Sequence, residues 1–400
     1  MLERHALYVT AFLRAITTSL VGVLLGVYLA RLGVTGTAFG RVVSAGLFGA
    51  ALAAVVVTFL GDSFGRRRFL VLLTLLSVGG TLAFAFSTSG LALALAAFVG
   101  MLNGMGKDRG AALILEQAAL PSTSSAEERT QVIARYTMLQ DLGHAVGAAL
   151  AGLPTLLQGT TTLEGAAPHR AVLLGCAALG IASLGLYARL GSAIDAAKTP
   201  ARTSVTAKSR KILTKISALF AVDALAGGFL TTAMLAYFFF ERFDVDESVI
   251  GALFFGARLL NAASHLGAAW LAKRIGLVNT MVFTHIPSSL LLVSVAFAPN
   301  FGVAAVLFLL REGLVEMDVP TRQSYVLAVV EPAERTFASG VTNLVRLAAW
   351  AVAPLFAGLL MADASLVLPL TIGAAMKITY DLLLWRAFRT IRPPEERRTG

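Results

Sequence analysis

A single cysteine, Cys176, stands in a chain of 400 residues. With no partner for an internal disulfide, it excludes a disulfide-stapled fold, dithiol redox chemistry and thiolate metal centres. Charge is scarce too: charged residues make up 14% of the chain, where a soluble domain carries about a quarter. No GxxxxGK(S/T) loop is present to cradle a nucleotide phosphate, which argues against direct drive by ATP. No catalytic constellation stands out, so the chain reads as a non-enzyme without cofactor or metal. Lys and Arg outnumber Asp and Glu by 33 to 23, but they sit in loops without an aromatic-studded basic face, which excludes nucleic acid as a partner.

Apolar sequence is what the chain has in abundance: 57% of residues are hydrophobic and the mean hydropathy is +0.77. Apolar runs near 20 residues recur along almost the whole length, each long enough to cross a hydrocarbon core of about 30 Å as a helix. The first, ALYVTAFLRAITTSLVGVLLGVYLARL, is too long for a signal-peptide core and reads as a retained helix. Six spans are expected at roughly 6–31, 39–60, 69–88, 91–118, 130–157 and 170–190, and six more at roughly 212–240, 248–271, 277–298, 302–329, 336–361 and 365–387. The expected fold is an all-α membrane protein of twelve transmembrane helices in two six-helix bundles, residues 1–191 and 212–400. The polar stretch 192–211 between them reads as a cytoplasmic linker.

Basic residues mark the cytoplasmic side. Arg66, Arg67, Arg68, Arg129, Lys198, Arg202, Lys208, Arg210, Lys211, Lys273, Arg274 and Arg335 fall in alternate loops, and Arg389, Arg392, Arg397 and Arg398 in the tail, whereas DVDES at 244–248 is acidic. Both termini are therefore expected in the cytoplasm, in a plasma membrane or bacterial inner membrane.

The halves repeat one another. EERTQVIARYTMLQDLGHAVGAALAGL from Glu127 parallels AERTFASGVTNLVRLAAWAVAPLFAGL from Ala333, with Gly152 falling on Gly358; upstream, Asp108 falls on Asp318. LGDSFG and LAKRIG share a Leu-small-charged-x-x-Gly frame, with Lys273 where Asp62 stands. A duplicated set of six helices builds a pseudo-symmetric pair of bundles, suited to alternating access by rocking.

LGDSFGRRR between spans two and three resembles the signature loop of the major facilitator superfamily, roughly GxLaDRxGRR, through Asp62, Gly65, Arg66 and Arg67. Thr58 replaces the usual Gly and Ser63 the usual base. With twelve spans, a basic linker and a degenerate second copy, the resemblance covers essentially the whole chain. It implies an inner gate built from Asp62, Gly65, Arg66, Arg67, Glu334 and Arg335, in which Asp62 engages the start of span eleven near Arg335 and Thr336. Sugar-porter boundary sequences are absent. Gly143, Gly147 and Gly152 resemble the glycine pattern of drug–proton antiporters without its internal Pro, whose place in the second copy is taken by Pro354.

Ionisable groups at bilayer depth are costly unless they pair or face a cavity, so each is a functional candidate. Arg14, Asp223, Arg258, His265 and Arg311 are candidate substrate-binding residues, the arginines offering a positive field to an anion; pairing of Arg14 with Asp223 is the competing reading. Asp108, Asp141, His144 and Glu312 are candidates for proton coupling. Asp141 and His144, at i and i+3, lack a third metal ligand nearby in sequence. Asp318 with Arg322, and Lys377 with Asp381, are each expected to form a local ion pair. The function expected is secondary active transport of a small solute, anionic or amphipathic, by proton-coupled efflux from a monomer in the lipid bilayer. A proton-coupled uptake symporter, a non-transporting receptor or sensor, and a channel are the alternatives.

Overall fold

The computed structural model describes residues 2–123, 128–191, 194, 206–319, 321–322, 325, 334–363 and 365–388, and the regular structure among them is helical. In chain order the helices are α1 (Leu2–Arg31), α2 (Gly36–Phe64), α3 (Arg66–Phe86), α4 (Gly90–Gly100), α5 (Ala111–Ala119), α6 (Arg129–Ala149), α7 (Leu153–Thr160) and α8 (Ala167–Ala188). They continue as α9 (Ala207–Gly228), α10 (Thr232–Phe243), α11 (Glu247–Ile275), α12 (Leu277–Ala296), α13 (Phe301–Val315), α14 (Arg335–Asp363) and α15 (Leu368–Phe388). Among the described residues, eight helical stretches are long and apolar enough to cross a membrane, with α9 and α10 counting as one. Large apolar side chains such as Phe59, Leu91 and Leu95 lie exposed on the helices, as lipid contact requires.

Four expected spans are interrupted. The fourth, expected at 91–118, breaks between α4 and α5: Met101 and Gly106 take positive φ angles of 51° and 65°. Asn103 accepts from the Met105 N–H and donates to the Lys107 carbonyl, drawing the backbone out of the helix ladder. Lys107, Asp108 and Arg109 therefore lie on irregular backbone, not on a helix. The seventh, expected at 212–240, breaks at Phe229–Thr231, and Thr231 caps α10 by accepting from the Met234 N–H. The two breaks satisfy each other, since the Gly104 carbonyl accepts from the Ala233 N–H at 2.9 Å and the Met105 carbonyl from the Thr232 hydroxyl at 2.8 Å. Backbone that leaves the helix at membrane depth needs such partners. The fifth span tightens into a 3₁₀ turn at Leu150–Gly152 before α7, whose first turn holds Pro154. The tenth stops at Val315, so Arg311 does not share one continuous helix with Asp318 and Arg322.

The shared Leu-small-charged-x-x-Gly frame reappears as shared backbone. Gly65, between α2 and α3, has φ 101°, and Gly276, between α11 and α12, has φ 85°. Both tight turns need a residue without Cβ.

Two compact units emerge. The first holds 1–200 with 231–255 and 354–363; the second holds 201–230, 256–353 and 364–400. In the first, α1 packs along α6, α8 and α10, while α2 and α3 close on α4 and α5, around Leu70, Leu115, Tyr136 and Tyr187. In the second, α15 packs on α9 and α12, around Ile216, Met281, Tyr380 and Leu384. Small residues let these helices touch without a hydrophobic driving force. A Cβ on Gly26 would lie 2.1 Å from the Ala233 carbonyl oxygen, and one on Gly40 would lie 2.4 Å from that of Pro354. In the first unit the segments 231–255 and 354–363 are thus seated directly on α1 and α2.

Candidate functional site

In the first unit Arg14, midway along α1, organises a buried polar cluster. Its Nε donates to Asp108 Oδ2 at 2.6 Å, one terminal nitrogen to Glu116 Oε2 at 2.6 Å and the other to the Tyr187 hydroxyl at 2.7 Å. Glu116, fully buried, also accepts from Thr10, Tyr136 and Tyr187, which saturates its oxygens. Asp108 accepts from Gln140 at 3.3 Å, and its N–H donates to His144 Nε2 at 3.0 Å. A buried ion pair holds only when its remaining hydrogen-bonding capacity is met in this way.

Beside the cluster, the break in span four leaves a cavity of about 130 Å³. Arg14, Thr17, Ser77, Asn103, Asp108 and Tyr187 line it together with apolar walls from α1, α3 and α8.

The second unit carries a larger ionic cluster around Asp223 of α9. Lys377 donates to its Oδ1 at 2.9 Å and Arg346 to its Oδ2 at 2.8 Å; Arg322 lies 3.4 Å from the same Oδ2 and pairs with Asp318. The expected Asp318–Arg322 pair is present. The expected Lys377–Asp381 pair is not: His285 of α12 sits between them, 3.3 Å from Lys377 Nζ and 3.1 Å from Asp381 Oδ1. Partners on neighbouring helices take precedence because the long Lys377 stem reaches Asp223 across the α9–α15 contact. The pairing of Arg14 with Asp223 is likewise replaced, since each finds its counter-ions inside its own unit.

Other candidates fall elsewhere. Arg311 forms an ion pair with its neighbour Glu312, whose carboxylate and carbonyl also accept from Asn261. Arg258 is buried on α11, one turn before Asn261, and His265 lies half-buried one turn after it. Asp141 is exposed on α6 while His144 is buried, so the two diverge. Arg66 is buried and donates to the carbonyls of Ala118 and Ile194; Arg67 donates to that of Ala188 at 2.6 Å. These arginines fasten the loop to the ends of spans four and six as well as charging it. Glu334 accepts from the Thr206 N–H at 2.6 Å. The side chains of Asp62, Arg335 and Thr336 lie outside the described residues.

Sequence reasoning missed Glu116, Tyr136, Tyr187 and His285. Glu116 and His285 were legible, since each is an ionisable group inside an apolar run, but ALILEQAAL and FTHIPSSL read as spans first. The tyrosines carry no charge and announce nothing until a carboxylate lies beside them.

Residues 7–354 match the family described as Major Facilitator Superfamily. The chain belongs to that superfamily. It is therefore a multi-pass membrane protein and a secondary transporter of small solutes, in a family without enzymatic activity. This facilitator is similar to an uncharacterized membrane protein of Saccharomyces cerevisiae, at 25% identity over 416 residues, spanning 94% of this chain and 92% of the relative. Its fold is that of the nucleoside transporter NupG, with TM-score 0.76 at 14% identity over 97% of this chain and 100% of the other. The xylose transporter XylE from E. coli shares it too, with TM-score 0.72 at 12% identity over 98% of each chain.

Proposed function

We propose that this facilitator exports a small anionic or amphipathic solute in exchange for protons, as a monomer of a plasma or bacterial inner membrane with both termini in the cytoplasm. The observation that carries this reading is the cavity at the break of span four. It sets charged and hydroxyl groups beside apolar walls, the composition of a pocket for a solute with one polar end. Arg258, Arg311 and His265, with Arg14 and Asp223, are the proposed substrate-binding set, the arginine forks matching carboxylate or phosphate. Asp108, Asp141, His144 and Glu312 are proposed for proton coupling; the contact of His144 Nε2 with the Asp108 N–H at 3.0 Å puts an imidazole beside the carboxylate of the Arg14 cluster. The glycines of span five, similar to the drug–proton antiporter pattern apart from its Pro, favour efflux over uptake; a Cβ on Gly147 would lie 2.2 Å from the Ile16 carbonyl oxygen, which seats α6 directly on α1. Asp62, Gly65, Arg66, Arg67, Glu334 and Arg335 are proposed as the inner gate between bundles 1–191 and 212–400, joined by the linker 192–211.

Counterflow in proteoliposomes tests the reading. A carrier accelerates exchange when substrate is present on the far side, whereas binding without flux marks a sensor and conductance marks a channel. An imposed pH gradient that leaves accumulation unchanged refutes proton coupling. Normal transport by Arg258→Ala and Arg311→Ala variants refutes the anion-binding role.

A further inference from the structure

The second unit contains an unbroken chain of buried titratable groups. Asp223 Oδ1 accepts from Lys377 Nζ at 2.9 Å, Lys377 Nζ lies 3.3 Å from His285 Nε2, and His285 Nδ1 lies 3.1 Å from Asp381 Oδ1. An ammonium only donates, so His285 Nε2 must accept, which leaves Nδ1 to carry the ring proton and donate it to Asp381. With Lys377 as the donor, the hydrogen bonds run in one direction, from Lys377 through the imidazole to Asp381.

Asp381 is completely buried, and its Oδ2 accepts no hydrogen bond from any described residue. A buried carboxylate oxygen without a donor is costly, and a proton is the smallest ligand that relieves the cost. His285 of α12 faces Asp381 directly, and the titratable and charged groups along the rest of the cluster are Asp223 on α9, Asp318 and Arg322 beyond α13, Arg346 on α14, and Lys377 with Tyr380 on α15 itself. Three basic side chains, Arg322, Arg346 and Lys377, stand with three carboxyl groups, Asp223, Asp318 and Asp381, in this cluster.

The contrast with the first unit is informative. There, Glu116 is held by four donors and Arg14 by two carboxylates, so neither Glu116 oxygen is left without a donor.

We propose that Asp381 Oδ2 is a proton-binding site of this transporter, and that His285 and Lys377 transmit its occupancy to Asp223. This rests on the proton-coupled reading above and adds a site to it. On uptake an O–H bond forms at Asp381 Oδ2 as the delivering water species gives up its proton. Neutral Asp381 then attracts the His285 N–H less, the imidazole is freed to turn away from Lys377, and the tether of α12 and α15 to α9 slackens. His285 and Lys377 are positioning residues; only Asp381 binds the proton.

The test is infrared difference spectroscopy of the full-length protein in lipid nanodiscs across a pH step, which needs no substrate and reads the carbonyl stretch of protonated carboxyl groups directly. Wild type is expected to show a pH-dependent carboxylic-acid band that is lost in Asp381→Asn and displaced in pH by His285→Gln, with thermal unfolding confirming that both variants fold. A band that persists in Asp381→Asn but disappears in Asp108→Asn or Glu312→Gln overturns the Asp381 site and leaves proton coupling standing. No pH-dependent band in wild type overturns both. A band lost in Asp381→Asn but untouched by His285→Gln overturns the relay.

Discussion

Glu247 and His169 lie 3.1 Å apart, each only 1% exposed, at the end of the first unit opposite the N-terminus. Arg31, at the close of α1, comes within 3.3 Å of the same Glu247 oxygen, and the Thr155 hydroxyl donates to the other at 3.0 Å. One carboxylate at the start of α11 thus gathers α1, α7 and α8, and stacking of His169 on Tyr28 holds the imidazole in place. Removing one partner of a buried pair costs about 3–5 kcal/mol. Glu247→Gln is expected to lower the thermal unfolding midpoint and to raise labelling of a single cysteine placed near Gly159, in a Cys176→Ser background. Unchanged labelling contradicts a closing role for this cluster.

Gly26 makes a steric prediction about the same end. A Cβ would lie 2.1 Å from the Ala233 carbonyl oxygen, closer than real Cβ contacts, and the obstacle is backbone. Gly26→Ala is expected to separate α1 from α10, and Gly40→Ala to separate α2 from α14. Spin-label pairs across each contact are expected to report a lengthened distance together with slowed counterflow; wild-type distances in both variants refute the packing argument.

Arg14 makes an electrostatic prediction. Arg14→Ala strands Asp108 and Glu116 as buried carboxylates without their cation, at a cost of about 3–5 kcal/mol. Glu116→Gln keeps a hydrogen-bonding side chain of the same shape and leaves the Arg14–Asp108 pair intact, so it is expected to be milder. Equal unfolding midpoints for the two variants, measured in the same detergent, contradict a structural role for the cluster.

Asp246 makes a pH prediction. Its Oδ1 accepts from the Ser248 hydroxyl at 2.6 Å and from the N–H groups of Ser248 and Val249, capping α11. The hydroxyl bond, followed by the backbone bonds, holds its pKa below the ordinary carboxylate range. With a depressed folded value, the contribution is present above the unfolded value and fades as pH falls through the folded one. Asp246→Ala is expected to cost about 0.5–1 kcal/mol at neutral pH, the low end for an exposed cap. The difference from wild type is expected to shrink in acid, as unfolding midpoints between neutral and strongly acidic buffer would record; a pH-independent difference contradicts the cap.

Hydropathy and spacing alone determined that this protein is an all-α membrane protein, that its two halves repeat, and that Gly65 turns the chain sharply between its second and third helices. These are properties of a residue and its near neighbours, and burial in lipid imposes them wherever the segment ends up. Tertiary structure decided the rest. Lys377 and Asp381 sit one turn apart on the same helix, yet His285 separates them, because a buried charge settles on whichever counter-ion the adjacent helices bring within reach. The break after Gly100 was hidden for the same reason. Apolar sequence rich in glycine continues a membrane helix as readily as it interrupts one, and what makes the interruption stable is the pairing of the Gly104 and Met105 carbonyls with the start of α10, more than a hundred residues away.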